Sequence, residues 1–366
     1  MAGSGFGRIY RITTWGESHG PALGVVVDGC PAGLPLSEED IQVFLDRRKP
    51  GASPLSTPRS EADKVRILSG VFEGVTTGAP ISLMVENTSQ CSADYGEMKD
   101  TYRPGHADFC YDAKYGIRDY RGGGRSSGRE TIGRVAAGAI ASRILSELGI
   151  SVEAYTTSIG PVQVREGVYS REQVLSCPTA MPDPEADRKA TEYVKQMAAE
   201  KNSVGGTMEC IIRGVPAGIG DPVFDKLDAL LASAVMSIGA VKAVEIGDGT
   251  AVSTLTGKEN NDPFTTENGT ITKTTNHSGG ILGGISDGTD ILVRASVKPT
   301  PSIFSPQQTV NKNGDPVTLT IAGRHDPVII PRAVVVMEAM CAITVLDALL
   351  VNQSARMEYL KDFYCS

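Results

Sequence analysis

The chain has 366 residues, of which 40% are hydrophobic and 21% are charged, with 43 acidic and 35 basic side chains. This balance excludes an intrinsically disordered chain and a strongly basic nucleic-acid-binding protein. Glycine is over-represented, because 41 glycines make about 11% of the chain against about 7% on average. The composition indicates a globular protein whose chemistry lies in local, glycine-rich segments.

Three features predict a cytoplasmic protein. The first twenty residues contain no apolar stretch of the kind found in secretory signals. The most apolar stretch, residues 333–351, contains Glu338 and Asp347 and is apolar on all sides, which predicts a buried helix rather than a membrane span. The seven cysteines have no regular spacing, so we expect neither a disulfide framework nor a metal site.

Two segments of the chain resemble each other. Residues 25–34 (VVVDGCPAGL) and 210–219 (CIIRGVPAGI) each combine β-prone residues with a Gly-x-Pro-Ala-Gly turn sequence. Glycine tolerates a positive φ and proline fixes the turn, so each segment predicts a strand that enters a tight turn. An amphipathic helix is predicted after each, over residues 37–47 and 222–236.

A second pair of segments follows in the same order. Residues 70–78 (GVFEGVTTG) match 280–288 (GILGGISDG), and each leads to a predicted strand, at 81–86 and 291–297. Two matches in one order favour two duplicated halves. A chance likeness between glycine-rich strings is the alternative.

The repeats define the expected architecture. We expect a single large α/β (α+β) domain over residues 1–366, with related halves at about 7–155 and 205–350 and a ligand between them. Residues 161–204 are polar and predict a surface helix and connector. Residues 256–276 are rich in Asn, Thr and Gly and predict a long loop or flap.

All four histidines lie in or beside glycine-rich segments. They are His19, His106, His277 and His325. Catalytic groups are often found on such loops, and histidine titrates nearest neutrality, so we predict that at least two of them transfer protons. For any single one, a hydrogen-bonded loop histidine is the alternative.

The strongest anion-binding signal is the segment 118–131 (RDYRGGGRSSGRET), followed one helical turn later by Arg134. It combines four arginines, three consecutive glycines, two serines and a predicted helix N-terminus, all of which favour phosphate binding. Ser127 and Glu130 also fit a helix capping box. A plain glycine-rich turn and an arginine–glycine arm for nucleic acid are the alternatives.

Three further clusters are candidate ligand contacts. Arg48 belongs to a basic cluster at the end of a predicted helix, where the alternative role is to complement the helix dipole. Residues 298–302 (KPTPS) form a rigid turn that presents a lysine and a threonine. Residues 323–326 (GRHD) place an arginine beside a carboxylate, and a surface ion pair is the alternative there.

Together these segments resemble chorismate synthase. The signatures of that family occur in its order, as GESHG (16–20), RPGHAD (103–108), YRGGGRSS (120–127), GGILGG (279–284), KPT (298–300) and GRHDP (323–327). The likeness covers residues 7 to about 350. It implies the last step of the shikimate pathway, in which 5-enolpyruvylshikimate 3-phosphate loses phosphate and a C6 proton by 1,4-anti elimination. It also implies reduced FMN as cofactor, NADPH as a candidate reductant, a homotetramer and a β-α-β sandwich core.

The resemblance also implies roles for individual residues. His19 would be the acid beside the leaving phosphate, His106 would protonate reduced flavin near N1, and Ser18 with Asp326 would assist proton transfer at flavin N5. The residues that fall on the family's FMN site are Arg125, Ser126, Ser127, Gly239, Ala240, Gly283, Lys298, Pro299, Thr300, Pro301, Ser302 and Arg324. The residues implied to contact substrate or NADP are Arg48, Arg103, Arg121, Arg129 and Arg134.

Two positions depart from the family pattern. Many members carry an arginine where this chain has Pro54, and Arg59 is a candidate to replace it at the substrate. Pro301 stands where the family has serine, which removes a hydroxyl and an N–H from the expected flavin contact.

Two other functions remain open from the sequence. A different flavin- or nucleotide-dependent oxidoreductase would consume NAD(P)H stoichiometrically, although no Rossmann G-x-G-x-x-G follows a strand near the N-terminus. A non-enzymatic phospholigand- or RNA-binding protein would use the arginine–glycine segment without catalysis, and it gives the histidines no role. The expected partner is a small polyanion rather than nucleic acid or a membrane.

Overall fold

The computed structural model describes residues 3–51, 55, 62–87, 99–165, 167, 169–321 and 326–365. In this part of the chain, two antiparallel five-stranded sheets are the main β-structure. The first sheet runs in spatial order through β1 (Gly5–Phe6), β2 (Arg11–Gly16), β3 (Ala22–Asp28), β7 (Ile81–Glu86) and β4 (Val65–Ile67). The second runs through β11 (Val241–Ile246), β16 (Ile291–Val297), β10 (Gly206–Arg213), β8 (Ser151–Ile159) and β9 (Val162–Gln163).

Short hairpins lie outside the two sheets. They are β5 (Val71–Phe72) with β6 (Val75–Thr76), β12 (Phe264–Glu267) with β13 (Thr270–Lys273), β14 (Ile281–Leu282) with β15 (Ile285–Ser286), and β17 (Gln307–Val310) with β18 (Pro316–Leu319).

Helices form the middle layer and the periphery. The α-helices of the described residues are α1 (Glu38–Arg48), α2 (Asp108–Tyr115), α3 (Thr131–Glu147), α4 (Arg171–Ser176), α5 (Pro184–Ala199), α6 (Leu227–Met236), α7 (Gly257–Asn260), α8 (Ile330–Asn352) and α9 (Met357–Tyr364). Helix α3 packs on the first sheet, α8 packs on the second, and the two helices pack on each other. The predicted β-α-β sandwich is therefore confirmed.

The contact between α3 and α8 needs a glycine. A Cβ built on Gly138 of α3 would lie 2.3 Å from the Cβ of Ala339 of α8, so only glycine allows the two backbones to approach this closely. Helix α8 is apolar and long enough to cross a membrane, but 78% of its most apolar window is buried inside the protein. The prediction of a buried helix at residues 333–351 is confirmed.

The two sheets repeat the same strand pairing. Val27 of β3 pairs with Ile81 of β7, and Ile212 of β10 pairs with Ile291 of β16. These four residues occupy matching positions in the two pairs of similar segments. The repeated segments therefore meet in the same register in both sheets.

The turns after the repeated strands also share their hydrogen bonds. The hydroxyl of Thr76 donates to the carbonyl oxygen of Pro31 at 2.7 Å and accepts the backbone N–H of Leu34 at 3.0 Å. Ser286 makes the two corresponding bonds in the second sheet's turn, at 2.6 and 2.9 Å. The same two hydroxyl contacts therefore occur in both turns, made by threonine in one and by serine in the other.

Two sequence predictions of local structure were wrong. Helix α6 begins at Leu227, five residues later than predicted, because Val223 has a φ of 72° that no helix accommodates. Residues 256–276 are not a loop, because α7 and the hairpin of β12 and β13 occupy them. The side chain of Lys273 is buried there, between the carboxylates of Asp262 at 3.2 Å and Asp287 at 2.7 Å.

Candidate active site

The turn that carries Ser18 and His19 joins β2 to β3 at one end of the first sheet. Ser18 is buried, and its hydroxyl oxygen lies 3.1 Å from Nδ1 of His19. The three-glycine loop packs on this pair, because a Cβ built on Gly122 would lie 2.1 Å from His19 Nδ1 and 3.0 Å from the Ser18 oxygen. The predicted histidine turn and anion loop are therefore in direct contact.

His106 is held by a buried ionic cluster at the start of α2. Asp108 accepts hydrogen bonds from Nε and Nη2 of Arg103, at 2.7 and 2.6 Å, and its Oδ1 lies 2.9 Å from His106 Nδ1. Arg118 of the anion loop brings Nη1 within 3.2 Å of the same oxygen. Nη2 of Arg103 also lies 3.0 Å from His106 Nδ1, so Nδ1 faces the cluster and the imidazole presents Nε2 to a ligand.

Asp108 makes folding depend on pH. Burial by itself would raise the pKa of this carboxyl, but hydrogen bonds from Arg103 and His106, with their positive charges, hold the pKa well below its usual range. A carboxyl whose pKa is lower in the folded state stabilises the fold above its unfolded pKa of about 4 and loses that contribution as the pH falls.

We expect Asp108→Asn to lower the free energy of unfolding most at neutral pH. The difference from wild type should shrink as the pH falls below about 4, because the wild-type carboxyl then loses its advantage. Urea titrations from neutral to acid pH measure this difference. A difference that stays constant with pH would contradict the assignment of Asp108 as the charged centre of the cluster.

The predicted lysine turn lies against the loop of His106. The ammonium of Lys298 donates to the carbonyl oxygen of Gly105 at 2.7 Å, and a Cβ built on Gly105 would lie 3.2 Å from the Cβ of Pro301. The backbone N–H of Lys298 donates to the carbonyl oxygen of Ala240 at 2.9 Å. Ala240 has a φ of 75°, a conformation that residues with a side chain rarely adopt. Residues from distant parts of the chain therefore meet beside His106.

Several predicted cofactor residues offer free space or a free donor. The hydroxyl of Thr300 is buried and has no hydrogen-bond partner within the described part of the chain. A Cβ built on Gly239 or on Gly283 would meet no atom within 4 Å. Ser302 is buried, whereas Pro299 is exposed. A polar ligand would find here a buried hydroxyl that can donate a hydrogen bond and open space beside the backbone.

A buried carboxylate, Asp63, holds two of the predicted substrate arginines. Its Oδ2 accepts from Nη2 of Arg48 at 2.5 Å, and its Oδ1 lies 3.2 Å from Nη1 of Arg129. Arg48 is 1% exposed and also donates to the carbonyl oxygen of Gly128 in the anion loop, at 3.2 Å. Burial lowers the pKa of Arg48 to about 10 against the opposing effect of Asp63, so the guanidinium remains charged at neutral pH.

Asp326 is joined to this arginine cluster. It forms an ion pair with Arg332 of α8, and Nε of Arg332 donates to the backbone carbonyl oxygen of Arg48 at 2.8 Å. Other predicted residues lie outside the described residues. They are Arg59, Arg324, His325 and Pro54.

The anion loop is fixed to the first sheet by Arg125. Its guanidinium donates to the hydroxyl of Thr14 at 2.6 Å and to the carbonyl oxygen of Gly16 at 3.2 Å. Ser127 accepts the backbone N–H of Arg129 at 3.3 Å, which makes it the cap of a short 3-10 turn before α3. Arg125 therefore fixes the orientation of the loop relative to β2.

The remaining predicted arginines have acidic partners. Arg121 forms a bidentate pair with Asp119, at 2.8 and 2.7 Å, on the exposed side of the loop. Arg134 pairs with Glu130 at 3.0 Å and donates to the hydroxyl of Ser237 at 2.6 Å. Through Arg134, the anion loop of the first half contacts the second half two residues before Gly239.

Two contacts join these clusters into one site. Tyr111, on α2 next to the His106 loop, lies beside Ser126 and Arg125 of the anion loop, which lower the pKa of Tyr111 against the larger, raising effect of burial. Asn87 connects Arg129 to the turn of His19. His277 belongs to a different region, where its Nδ1 lies 2.6 Å from a carboxylate oxygen of Asp248. Of the three described histidines, the structure therefore joins two, His19 and His106, to the same network.

The sequence analysis did not identify four residues of this network. They are Asp63, Asn87, Tyr111 and Arg332. Each is a single polar residue outside the glycine-rich motifs. One signal could have led to Asp63, because two buried guanidinium groups require a buried counter-charge. Among the described residues, no group of three or more His, Cys, Asp and Glu side chains is arranged to hold a metal ion.

Comparison with known proteins gives one consistent result. The family model described as chorismate synthase matches residues 10–350. The chorismate synthase of Lachnoclostridium phytofermentans is 62% identical over 365 residues, covering 100% of both chains. That of Agathobacter rectalis is 60% identical over 364 residues, covering 100% of this chain and 99% of the relative. A crystal structure of chorismate synthase is 32% identical, with a TM-score of 0.76 over 98% of this chain and 96% of that one.

Proposed function

Because the chain belongs to the chorismate synthase family, the lyases of the last step of the shikimate pathway, we propose that the network around His19 catalyses the elimination that the family performs. In 5-enolpyruvylshikimate 3-phosphate, the C–O bond to phosphate breaks, the C6–H bond loses its proton and a new double bond forms. The products are chorismate and phosphate, with no net oxidation. The observation that carries the proposal is the convergence of the His19 turn, the anion loop and the His106 cluster.

The arginines account for binding of the substrate. It carries one phosphate and two carboxylates, so its site needs several fixed cations, although the protein has a net charge of −8. Arg48 and Arg129 are held in place by Asp63 before any ligand arrives. Guanidinium groups bind carboxylate and phosphate through two parallel hydrogen bonds, and groups that are already oriented lose little entropy on binding. Local arginines can thus bind the polyanionic substrate although the net negative charge of the protein repels it.

His19 is the candidate acid for the departing phosphate. Ser18 contacts its Nδ1 and Gly122 packs against its ring, so the imidazole has a defined position before the substrate binds. A positioned acid that protonates a leaving group contributes about 10²–10⁴-fold to a reaction rate. His19 would supply this proton or the equivalent positive charge.

Replacing Gly122 by alanine is expected to displace the imidazole and to lower turnover by about 10–100-fold, because a small misplacement of a catalytic group is costly. The new methyl group would otherwise overlap His19 Nδ1, at 2.1 Å. Gly257→Ala is the control, since its built Cβ meets no atom within 4 Å. Steady-state rates and thermal unfolding of both variants measure the effect. A folded Gly122→Ala variant with wild-type turnover would show that the position of the ring is unimportant.

The residues beside His106 fit a bound FMN. The unpartnered hydroxyl of Thr300, the ammonium of Lys298 and the open backbone at Gly239 offer donors and space for a phosphate or an isoalloxazine edge. The chemistry that reduced FMN supplies when bound is the temporary loan of an electron, which explains its requirement in a redox-neutral reaction. The remaining residues proposed to hold it are Arg125, Ser126, Ser127, Ala240, Gly283, Pro299, Pro301, Ser302 and Arg324.

The proton-transfer roles follow from the same arrangement. His106 would exchange a proton with the flavin through Nε2, because Nδ1 faces Asp108 and Arg103. Ser18 and Asp326 would assist proton transfer at flavin N5, as the family resemblance implies. NADPH as a reductant, a homotetrameric assembly and a cytoplasmic location complete the proposal.

Anaerobic assay of phosphate release tests the function directly. With 5-enolpyruvylshikimate 3-phosphate and reduced FMN, phosphate and chorismate should appear in equal amounts while the flavin stays reduced. Without reduced FMN, neither product should form. Consumption of one NADPH for each product molecule would instead support the alternative of an oxidoreductase.

A further inference from the structure

Asn87, the residue after β7, contacts the His19 turn through both its backbone and its side chain. Its Nδ2 donates to the carbonyl oxygens of Glu17 at 3.0 Å and Gly20 at 2.7 Å. Its backbone N–H donates to the carbonyl oxygen of Pro21 at 3.0 Å. One side-chain amide therefore spans the turn and binds the carbonyl groups on both sides of His19.

The other end of the Asn87 amide faces the arginine cluster. Its Oδ1 accepts from Nε of Arg129 at 2.9 Å, and Nη1 of Arg129 lies 3.2 Å from the buried carboxylate of Asp63. Asp63 has a φ of 44°, a left-handed conformation that surrounding structure must impose. The chain of contacts thus runs from a strained, buried carboxylate through Arg129 and Asn87 to His19.

Only an amide satisfies both ends of this bridge. A primary amide offers two N–H donors on one atom and an acceptor on the other, which matches two carbonyl oxygens and one guanidinium. An aspartate at position 87 would keep the contact with Arg129 but would place oxygen against the carbonyl oxygens of Glu17 and Gly20. The geometry therefore explains why asparagine, and not its closest isostere, stands here.

We infer that Asn87 is a positioning residue that fixes the imidazole of His19 relative to the substrate arginines. Arg129 binds the substrate and orients the amide, and the amide orients the turn of His19. This inference rests on the proposed function, since it assigns His19 the role of acid. Asn87 itself does not touch the reacting atoms; it acts through His19.

The test compares Asn87→Asp with wild type in kinetics and in NMR. Arg129 keeps its acceptor in the variant, so KM for the substrate should stay within about threefold while kcat falls by about 10–100-fold. The loss should largely vanish in a His19→Asn background, because Asn87 acts through that side chain. Without any ligand, the imidazole resonances of His19 should shift in Asn87→Asp. The control is Asn268→Asp in the exposed turn between β12 and β13. It should leave kcat, KM and the His19 resonances unchanged.

Each outcome separates the inference from the proposed function. An unchanged kcat and unshifted His19 resonances in a wild-type-like fold would overturn the inference alone. If the double variant lost kcat by the product of the two single losses, the inference would also be overturned, because Asn87 would then act independently of His19. Shifted resonances in a protein that releases no phosphate would overturn the function and retain the positioning role. If Asn87→Asp does not fold, Asn87→Ser is judged by the same criteria.

Discussion

Replacing His19 by asparagine is expected to lower kcat for phosphate release by about 10²–10⁴-fold while the fold is retained. Asparagine is polar and smaller, so it fits the space beside Ser18 and Gly122 without strain. Asparagine cannot deliver a proton at neutral pH. The phosphate would therefore depart without a proton from the enzyme, and it is a poorer leaving group in that form. Substrate affinity should change much less, because the arginines proposed to bind the anionic groups are untouched.

His277→Asn is the matched control for this substitution. His277 also lies in a glycine-rich loop and also contacts a polar partner, Asp248, but it belongs to another region of the second half. Its variant should retain wild-type kcat and KM in the same anaerobic assay. Equal activities of the His19 and His277 variants would contradict the role of His19 as acid.

Replacing Asp63 by asparagine is expected to destabilise the protein by about 3–5 kcal/mol, the usual effect of removing one partner of a buried ion pair. Arg48 is 1% exposed and Arg129 is 5% exposed, so neither guanidinium can recover its hydration when the carboxylate charge is lost. Asparagine keeps the size of the side chain and tolerates the left-handed backbone. The loss of stability therefore measures the effect of removing the negative charge. The midpoint of urea unfolding measures it.

Glu192→Gln is the control for Asp63→Asn. Glu192 pairs with Arg188 on the surface of α5, where both side chains are more than half exposed, so its loss should change stability far less. The Asp63 variant should also bind substrate more weakly, because Arg48 and Arg129 would lose their common anchor. Wild-type stability for Asp63→Asn would show that the two arginines need no buried counter-ion.

Local sequence signals predicted much of the fold. Helix α1 lies within one residue of its predicted bounds, and a capping box in which Ser37 and Asp40 satisfy each other's backbone N–H groups fixes its start. Strands β7 and β16 have the predicted bounds, because each is a run of alternating apolar residues that follows a glycine turn. The repeated turn sequences led to the expectation of two related halves, and the family resemblance implied the sandwich. These features depend on residues close together in the chain.

The unpredicted features depend on residues that are far apart. Asp63 lies 15 positions from Arg48, and Asn87 lies 42 positions from Arg129, with no local pattern around either acceptor. The hairpin of β12 and β13 was also missed, because its polar residues resemble a loop until the buried ammonium of Lys273 is known. The positions of the histidines in the sequence did not show which of them would lie in the same site. His277 does not join the network of His19 and His106.

The central claim is that the His19 turn, the anion loop, the His106 cluster and the lysine turn surround one polyanionic substrate and one flavin. A crystal structure of the complex with FMN and 5-enolpyruvylshikimate 3-phosphate tests it most directly. The account predicts the substrate phosphate beside His19, with Arg48 and Arg129 on the substrate's anionic groups and the flavin against residues 298–302. Density for both ligands in another part of the molecule, away from His19 and His106, would contradict it.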